Sequence, residues 1–199
     1  MINQMLDSEQ TGFYSSAATC AGLTNFVFAA IINSMRPTIF ENRCKTTDDF
    51  ENSLKMLYTI IIYLSLVQSA GMTLLAKPII RILYGTSYLP AAPALQIVVW
   101  YTTFAYLGTI RNIWMLAENK QKYLWIINLC GAIANVLLNY ILIPIWGING
   151  AAWASLITQF FTNVIVGYII VPIRRNNHIM ISSLNVVHLI RKLQSQRTT

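Results

Sequence analysis

Amide side chains recur at helical spacing within stretches of the sequence that are otherwise apolar. One set is Asn128, Asn135 and Asn139, and a second is Ser155, Gln159 and Asn163. Residues spaced by four or seven lie on one face of a helix. Polar side chains on such a face either hydrogen-bond a neighbouring helix, at about 0.6 kcal/mol per pair, or line a hydrated path for a polar solute. The sequence leaves both interpretations open.

Two arginines border the same kind of apolar stretch. Arg36 completes a stripe with Asn25, Ala29 and Asn33, and Arg111 follows an uncharged run. Both positions predict an arginine at the cytoplasmic end of a membrane helix. A guanidinium group binds phosphate through two parallel hydrogen bonds, and it also anchors a helix end to lipid head groups. Either role fits these positions.

Acidic residues and histidines are absent from the long apolar stretches, so no proton or sodium relay is expected within them. Asp48, Asp49 and Glu51 cluster in a segment that also carries basic residues, which is typical of a solvated charged patch. The three cysteines show no C-x-x-C spacing. The sequence therefore predicts no enzymatic site, no metal site and no cofactor.

The composition indicates a membrane protein. Hydrophobic residues make up 55% of the 199 residues and charged residues 11%, against about 25% charged in a soluble domain. Residues 123–173 carry no charge, and as a single helix they would far exceed a hydrocarbon core about 30 Å thick. We therefore expect this stretch to cross twice, with a hairpin at Pro144, Gly147 and Gly150.

Uncharged runs define about five expected spans, so the predicted fold is an all-α, polytopic membrane helix bundle. The spans lie near residues 13–35, 56–76, 90–110, 123–143 and 149–172. Residues 1–172 form the predicted bundle, and residues 173–199 form a cytoplasmic basic tail. Apolar residues in this tail are spaced as in an amphipathic helix on the membrane surface, at Met180, Leu184, Val187 and Ile190.

The basic residues are distributed unevenly between the two ends of the predicted spans. Of the 14 lysines and arginines, only Lys77 and Arg81 fall on the side predicted to face outward. The positive-inside rule then places the N-terminus outside and the C-terminus in the cytoplasm. The net charge of +7 thus indicates contact with membrane lipids, and nucleic acid is not an expected partner.

Three sequence blocks occur in order along the chain. They are TGFYSSAATCAGLTNFVFAAIINSMRPTI (residues 11–39), ILYGTSYLPAAPALQIV (82–98) and NLCGAIANVLLNYILIPIWGINGAAWASLI (128–157). Together they resemble the C-terminal half of polysaccharide flippases, the O-antigen or Wzx-type transporters of the multidrug/oligosaccharidyl-lipid/polysaccharide exporter superfamily. The resemblance covers most of residues 1–172, and its main features are an N-x-x-x-N helix, an Ile-Pro pair and a G-x-x-G-A-A turn.

The resemblance implies that the five spans form the C-terminal lobe of a twelve-helix transporter whose N-terminal half is the partner. The chain would then be a fragment, a truncated product or a half-transporter. The implied activity is flipping a polyprenyl-diphosphate-linked oligosaccharide, such as an O-antigen or capsule repeat unit, across the bacterial cytoplasmic (inner) membrane by alternating access. The residues expected along the substrate path are Asn25, Asn33, Arg36, Arg111, Asn135, Asn139, Gln159 and Asn163.

Two other functions remain open from the sequence. One is a drug or cation exporter of the same superfamily, which would use the same architecture around a different cavity. The other is a membrane enzyme of polysaccharide assembly, a polymerase or a ligase. The enzyme is disfavoured because the predicted outer loops are short and carry few charged residues, which leaves little room for an outward-facing catalytic region.

Overall fold

A computed structural model describes residues 5–184 of the protein. The α-helices in this part are α1 (Ser8–Gly22), α2 (Asn25–Lys45), α3 (Thr47–Leu74), α4 (Ala76–Tyr84), α5 (Ala92–Ala117), α6 (Leu124–Phe160), α7 (Val166–Ile169) and α8 (Arg174–Ser182). A π-helix, Phe161–Ile165, joins α6 to α7, and 3-10 segments span Thr86–Ala91, Gln121–Tyr123 and Val171–Ile173. The described residues form no strand, so the all-α prediction is confirmed.

Two helical stretches are long and apolar enough to cross a membrane, Thr47–Leu74 and Gln121–Ile169. The pair Ser8–Gly22 and Asn25–Lys45, bent by 41°, would make a third if it acts as one broken span. Helix α5, which contains the third predicted span, is not among them. It lies in the centre of the bundle against α1, α3 and α6, and it carries polar side chains that are buried by these neighbours.

The chain reverses direction inside α6, at Gly147. This glycine has φ 56° and ψ −131°, which divides α6 into a first arm (residues 124–146) and a second arm (residues 148–160). The arms pack antiparallel, since the Asn135 amide lies 3.4 Å from the Thr158 hydroxyl. Nearer the reversal, Gly150 lies directly against the backbone of Leu142, where a Cβ would collide. Pro144 precedes the reversal on the first arm.

The bundle has a hairpin end and a tail end. At the hairpin end, Gly147 approaches Gln10, and Phe13 packs against Tyr88. At the tail end, the side chain of Arg43 forms an ion pair with Glu118 at 2.9 Å. Small residues dominate the core near the hairpin end, including Ala17, Ala21, Ala91, Ala92 and Ala94, and these allow close helix approach. The core near the tail end contains Phe28, Tyr58 and Trp114.

Three predicted boundaries differ from the structure. The first predicted span crosses the bend between α1 and α2, and the predicted loop at residues 36–55 is wrong because α2 and α3 continue until only Thr46 separates them. Arg111, which was expected at the cytoplasmic end of the third span, lies inside helix α5, which continues to Ala117. These differences have one physical reason. Charged residues in a sequence mark where a helix leaves the apolar environment, but the helix itself can continue beyond that point.

The start of the predicted tail packs into the bundle. Helix α8 buries Asn176, Asn177, Ile179 and Met180, and Arg175 pairs with Glu51 at 2.8 Å. Asn176 accepts a hydrogen bond from the Tyr58 hydroxyl at 3.0 Å. The remainder of the predicted amphipathic helix, from Val187 through Ile190 to residue 199, lies outside the described residues.

We expect Asn177→Ala to lower the free energy of unfolding by about 1–3 kcal/mol, because the substitution leaves a buried acceptor without its donor. The Asn177 amide donates to the Val164 carbonyl at 2.7 Å, and its side chain is completely buried. Detergent-titrated unfolding would measure the change. The exposed neighbour Ser182 bonds only its own helix, so Ser182→Ala serves as the control. Equal effects for both variants would contradict the docking of α8.

Candidate functional site

A polar cavity of about 440 Å³ lies between α5 and the two arms of α6. Its wall consists mainly of amide and hydroxyl side chains, together with one arginine. The polar residues that line it are Thr109, Arg111, Asn112, Asn128, Asn135, Thr158, Gln159, Thr162 and Asn163. None of the residues lining this cavity is acidic. Polar side chains buried in a bundle of apolar helices either hydrogen-bond neighbouring helices or line a hydrated space.

The cavity begins where α1 ends. Helix α1 packs its small buried residues against α5 between Ala91 and Val99 and against Ala152 on the second arm, and Tyr14 approaches the Ser155 hydroxyl at 3.1 Å. The cavity lies farther along both helices, from Ala105 on α5 and from Thr158 on the second arm. The 41° bend after α1 redirects the chain, and the residues that line the cavity belong to α5, α6 and the π-helix.

Two glycines allow the helices around the cavity to pack closely. A Cβ at Gly131 would lie 2.7 Å from the Thr162 methyl group, and one at Gly108 would collide with the Asn163 amide. Thr162 and Asn163 both belong to the π-helix Phe161–Ile165. The glycines therefore bring this segment into direct contact with α5 and with the first arm.

Arg111 is the charged residue of the cavity, and it is only 5% exposed. Its Nη1 donates a hydrogen bond to the Thr162 carbonyl at 2.8 Å, whereas its Nε has no hydrogen-bond partner. The ion pairs of residues 5–184 join Glu118 to Arg43 and Glu51 to Lys55 and Arg175. The guanidinium is thus buried beside a polar cavity without a carboxylate of the described chain to neutralise it.

The π-helix explains why the Thr162 carbonyl is available to Arg111. In an α-helix this carbonyl would accept from the amide of Val166. Here the Val166 amide donates instead to Phe161, five residues back. Single π-turns of this kind occur frequently at functional sites.

The predicted amide residues form two linked groups on the hairpin. Asn139 donates to the Asn135 side chain at 2.9 Å, and Asn135 lies 3.4 Å from Thr158 on the opposite arm. The Asn163 amide donates to the Gln159 side chain at 2.6 Å. Asn135, Gln159 and Asn163 line the cavity, while Asn139 is buried behind Asn135. Asn135, Gln159 and Asn163 therefore both hydrogen-bond other side chains and line the cavity.

The predicted residues of the first span lie elsewhere. Asn25, Asn33 and Arg36 are exposed on α2 and are not part of the cavity wall. Asn25 accepts a hydrogen bond from the Tyr106 hydroxyl at 2.7 Å. These three residues therefore lie on an exposed face of α2, and they do not line the cavity that contains Arg111.

Sequence reasoning missed four of the lining residues, Thr109, Asn112, Thr158 and Thr162. Threonine is common in lipid-facing helices, because its hydroxyl can bond its own backbone; Thr162 does so to Thr158 at 2.8 Å. The i, i+4 spacing of the two threonines beside Gln159 and Asn163 was the available signal. Asn112 lies just beyond the predicted third span, which was expected to end near residue 110.

Comparisons with known proteins add one relative. The uncharacterized membrane protein MJ1068 of Methanocaldococcus jannaschii is 32% identical over 144 residues, which cover 69% of this chain and 27% of that protein. The chain therefore matches only about a quarter of its relative's length. No protein-family profile matches the sequence, and no solved structure matches the chain. The apolar helices and this relative together identify the chain as a membrane protein.

Proposed function

We propose that the protein is part of a membrane transporter of the polysaccharide-flippase type, which moves a polyprenyl-diphosphate-linked oligosaccharide across the membrane. The single observation that carries this proposal is Arg111, a buried arginine without a carboxylate partner that lines a polar cavity. Burying an unpaired charge costs several kcal/mol. A cargo that brings its own negative charge to the cavity would offset that cost.

The cavity divides the recognition of such a cargo between two kinds of side chain. Arg111 would contact the diphosphate, because its unpartnered Nε adds a donor to a planar group suited to phosphate oxygens. The amides of Asn135 and Gln159 would exchange hydrogen bonds with sugar hydroxyls. No bond in the cargo would be made or broken.

The proposed location is the bacterial cytoplasmic membrane, with the tail end of the bundle facing the cytoplasm. The uneven distribution of basic residues supports this orientation. The exposed polar face of α2 would then adjoin a second lobe across a central, hydrated space. The support is energetic. Asn33 is exposed on an apolar helix, and a polar side chain within a membrane is costly unless it contacts other polar groups or water.

A binding experiment tests the proposal against a cation exporter. The chain would be placed in lipid nanodiscs with a fluorescent polyprenyl-diphosphate-linked sugar. We expect an unlabelled polyprenyl diphosphate to displace this probe and a lipophilic cation such as tetraphenylphosphonium to leave it bound, because Arg111 repels cations. Displacement by the cation alone, or the absence of specific binding, would refute the flippase proposal.

A second prediction concerns Arg36. Surface polysaccharide, normalised to protein level in cells that depend on this protein, should fall in Arg36→Ala and recover only partly in Arg36→Lys. Lysine retains the charge but lacks the two parallel donors of arginine. If Arg36→Ala supports a normal amount of polysaccharide, Arg36 serves only as an anchor to lipid head groups.

A further inference from the structure

The short helix α4 packs at the hairpin end of the bundle. Helix α3 ends at Leu74, the next residue Leu75 interrupts the helix with φ −96° and ψ 10°, and Gly85, with φ 86°, ends α4. Ala76 and Ile80 are completely buried, and α4 contacts α1, α3 and α5. Helix α4 is therefore a packed element of the bundle. The sequence had predicted a loop for this outer segment between spans.

Helix α4 has three distinct faces. At 100° per residue, Ala76 and Ile80 share the face that packs on the bundle. Lys77 and Arg81, four residues apart, form a basic face on one flank, where both are exposed. Leu75 and Ile82 form an apolar face on the other flank, and Ile82 is 82% exposed. A helix of this pattern suits the boundary between lipid head groups and acyl chains.

The two basic residues have no acidic partner in the described part of the chain. The ion pairs of residues 5–184 involve Glu51 and Glu118, which lie at the tail end. At the hairpin end the Asp7 carboxylate accepts a hydrogen bond from the backbone N–H of Gln10 and caps the start of α1. Lys77 and Arg81 thus present two positive charges that no carboxylate of the described residues neutralises.

Aromatic residues place α4 at the depth of the membrane interface. Tyr84 and Tyr88 lie with ring centroids 5.4 Å apart, and Trp146, next to the chain reversal, is 54% exposed. Tyrosine and tryptophan are enriched at this level of a bilayer. The basic face of α4 is therefore in reach of phosphate groups, and its apolar face is in reach of acyl chains.

We infer that α4 is a binding site for an anionic phospholipid. The lipid phosphate lies between Lys77 and Arg81, and the acyl chains lie along Leu75 and Ile82. Arginine supplies paired donors to the phosphate, and lysine supplies a point charge. This site is separate from the Arg111 cavity, and its occupation does not depend on the transported cargo.

Photocrosslinking tests the inference in the intact chain. p-Benzoylphenylalanine would replace Ile82, or Ile133 as a reference, which is 53% exposed in the middle of the uncharged first arm of α6. Nanodiscs would contain phosphatidylglycerol and phosphatidylcholine in equal amounts, and mass spectrometry would measure the ratio of the two lipid adducts. A basic residue near an anionic lipid surface contributes about 1 kcal/mol, which corresponds to about fivefold. We therefore expect the ratio at position 82 to exceed that at position 133 by about fivefold or more.

The basic residues are then varied. In Lys77→Gln with Arg81→Gln, the ratio at position 82 should fall to the ratio at position 133, and Lys77→Arg should retain the enrichment. Both side chains are exposed, so circular dichroism should show an unchanged helix content. Equal ratios at the two positions, an enrichment that survives the double substitution, or a protein adduct at position 82 would each overturn the inference.

Discussion

Arg111→Gln is expected to weaken binding of a polyprenyl diphosphate to the chain by about 10- to 100-fold, because hydrogen bonds to charged groups contribute about 1.5–3 kcal/mol. The effect is large because Arg111 is the only charged residue that lines the described cavity. Fluorescence titration in nanodiscs would measure the dissociation constants. Arg111→Lys should lose less affinity than Arg111→Gln, since it retains the charge without the paired donors.

The stability of these variants separates a binding role from a structural role. A buried charge without a counter-ion costs several kcal/mol, and removing that cost offsets the loss of about 1–3 kcal/mol when the Thr162 carbonyl is left without its donor. We therefore expect Arg111→Met to unfold at the same or a higher temperature than the wild type, while it binds the diphosphate as poorly as Arg111→Gln. A marked loss of stability with unchanged binding would mean that Arg111 serves the Thr162 contact alone.

Gly150→Ala is expected to destabilise the protein by about 3 kcal/mol, near the upper end for overpacking. A Cβ at this position collides with the carbonyl group of Leu142 and approaches the amide of Ile143 at 3.0 Å. Backbone atoms cannot rotate away as a side chain can, so the two arms of α6 would have to separate. Unfolding in mixed detergent micelles would measure the loss.

Gly71 offers a matched control within helix α3. Nothing lies within 4 Å of a Cβ at this position, and alanine is favoured over glycine in a helix by about 0.8–1 kcal/mol. We expect Gly71→Ala to stabilise the protein by about 0.5–1 kcal/mol. Equal changes in stability for Gly71→Ala and Gly150→Ala would contradict the conclusion that Gly150 is needed for the close packing of the two arms.

The sequence by itself determined the class of the protein and several local features. Few charges and long uncharged runs dictate apolar helices, because backbone polar groups within a membrane have to bond inside the helix. Proline and glycine in the run 123–173 indicated a reversal, and the chain reverses at Gly147. These features depend on residues close together in the chain, so a single sequence contains them.

The tertiary structure alone decided which polar residues share a site. Spacing put Asn135 with Asn139 and Gln159 with Asn163, and the predicted hairpin paired their two helices, but neither pattern placed Arg111 of α5 beside them. That meeting depends on Gly108 and Gly131, which let α5, the first arm of α6 and the π-helix approach one another closely. The same packing decided that Arg111 is buried, whereas the sequence placed it at a helix end. Charge along a sequence reports local polarity, while burial depends on neighbours that are far away in the chain.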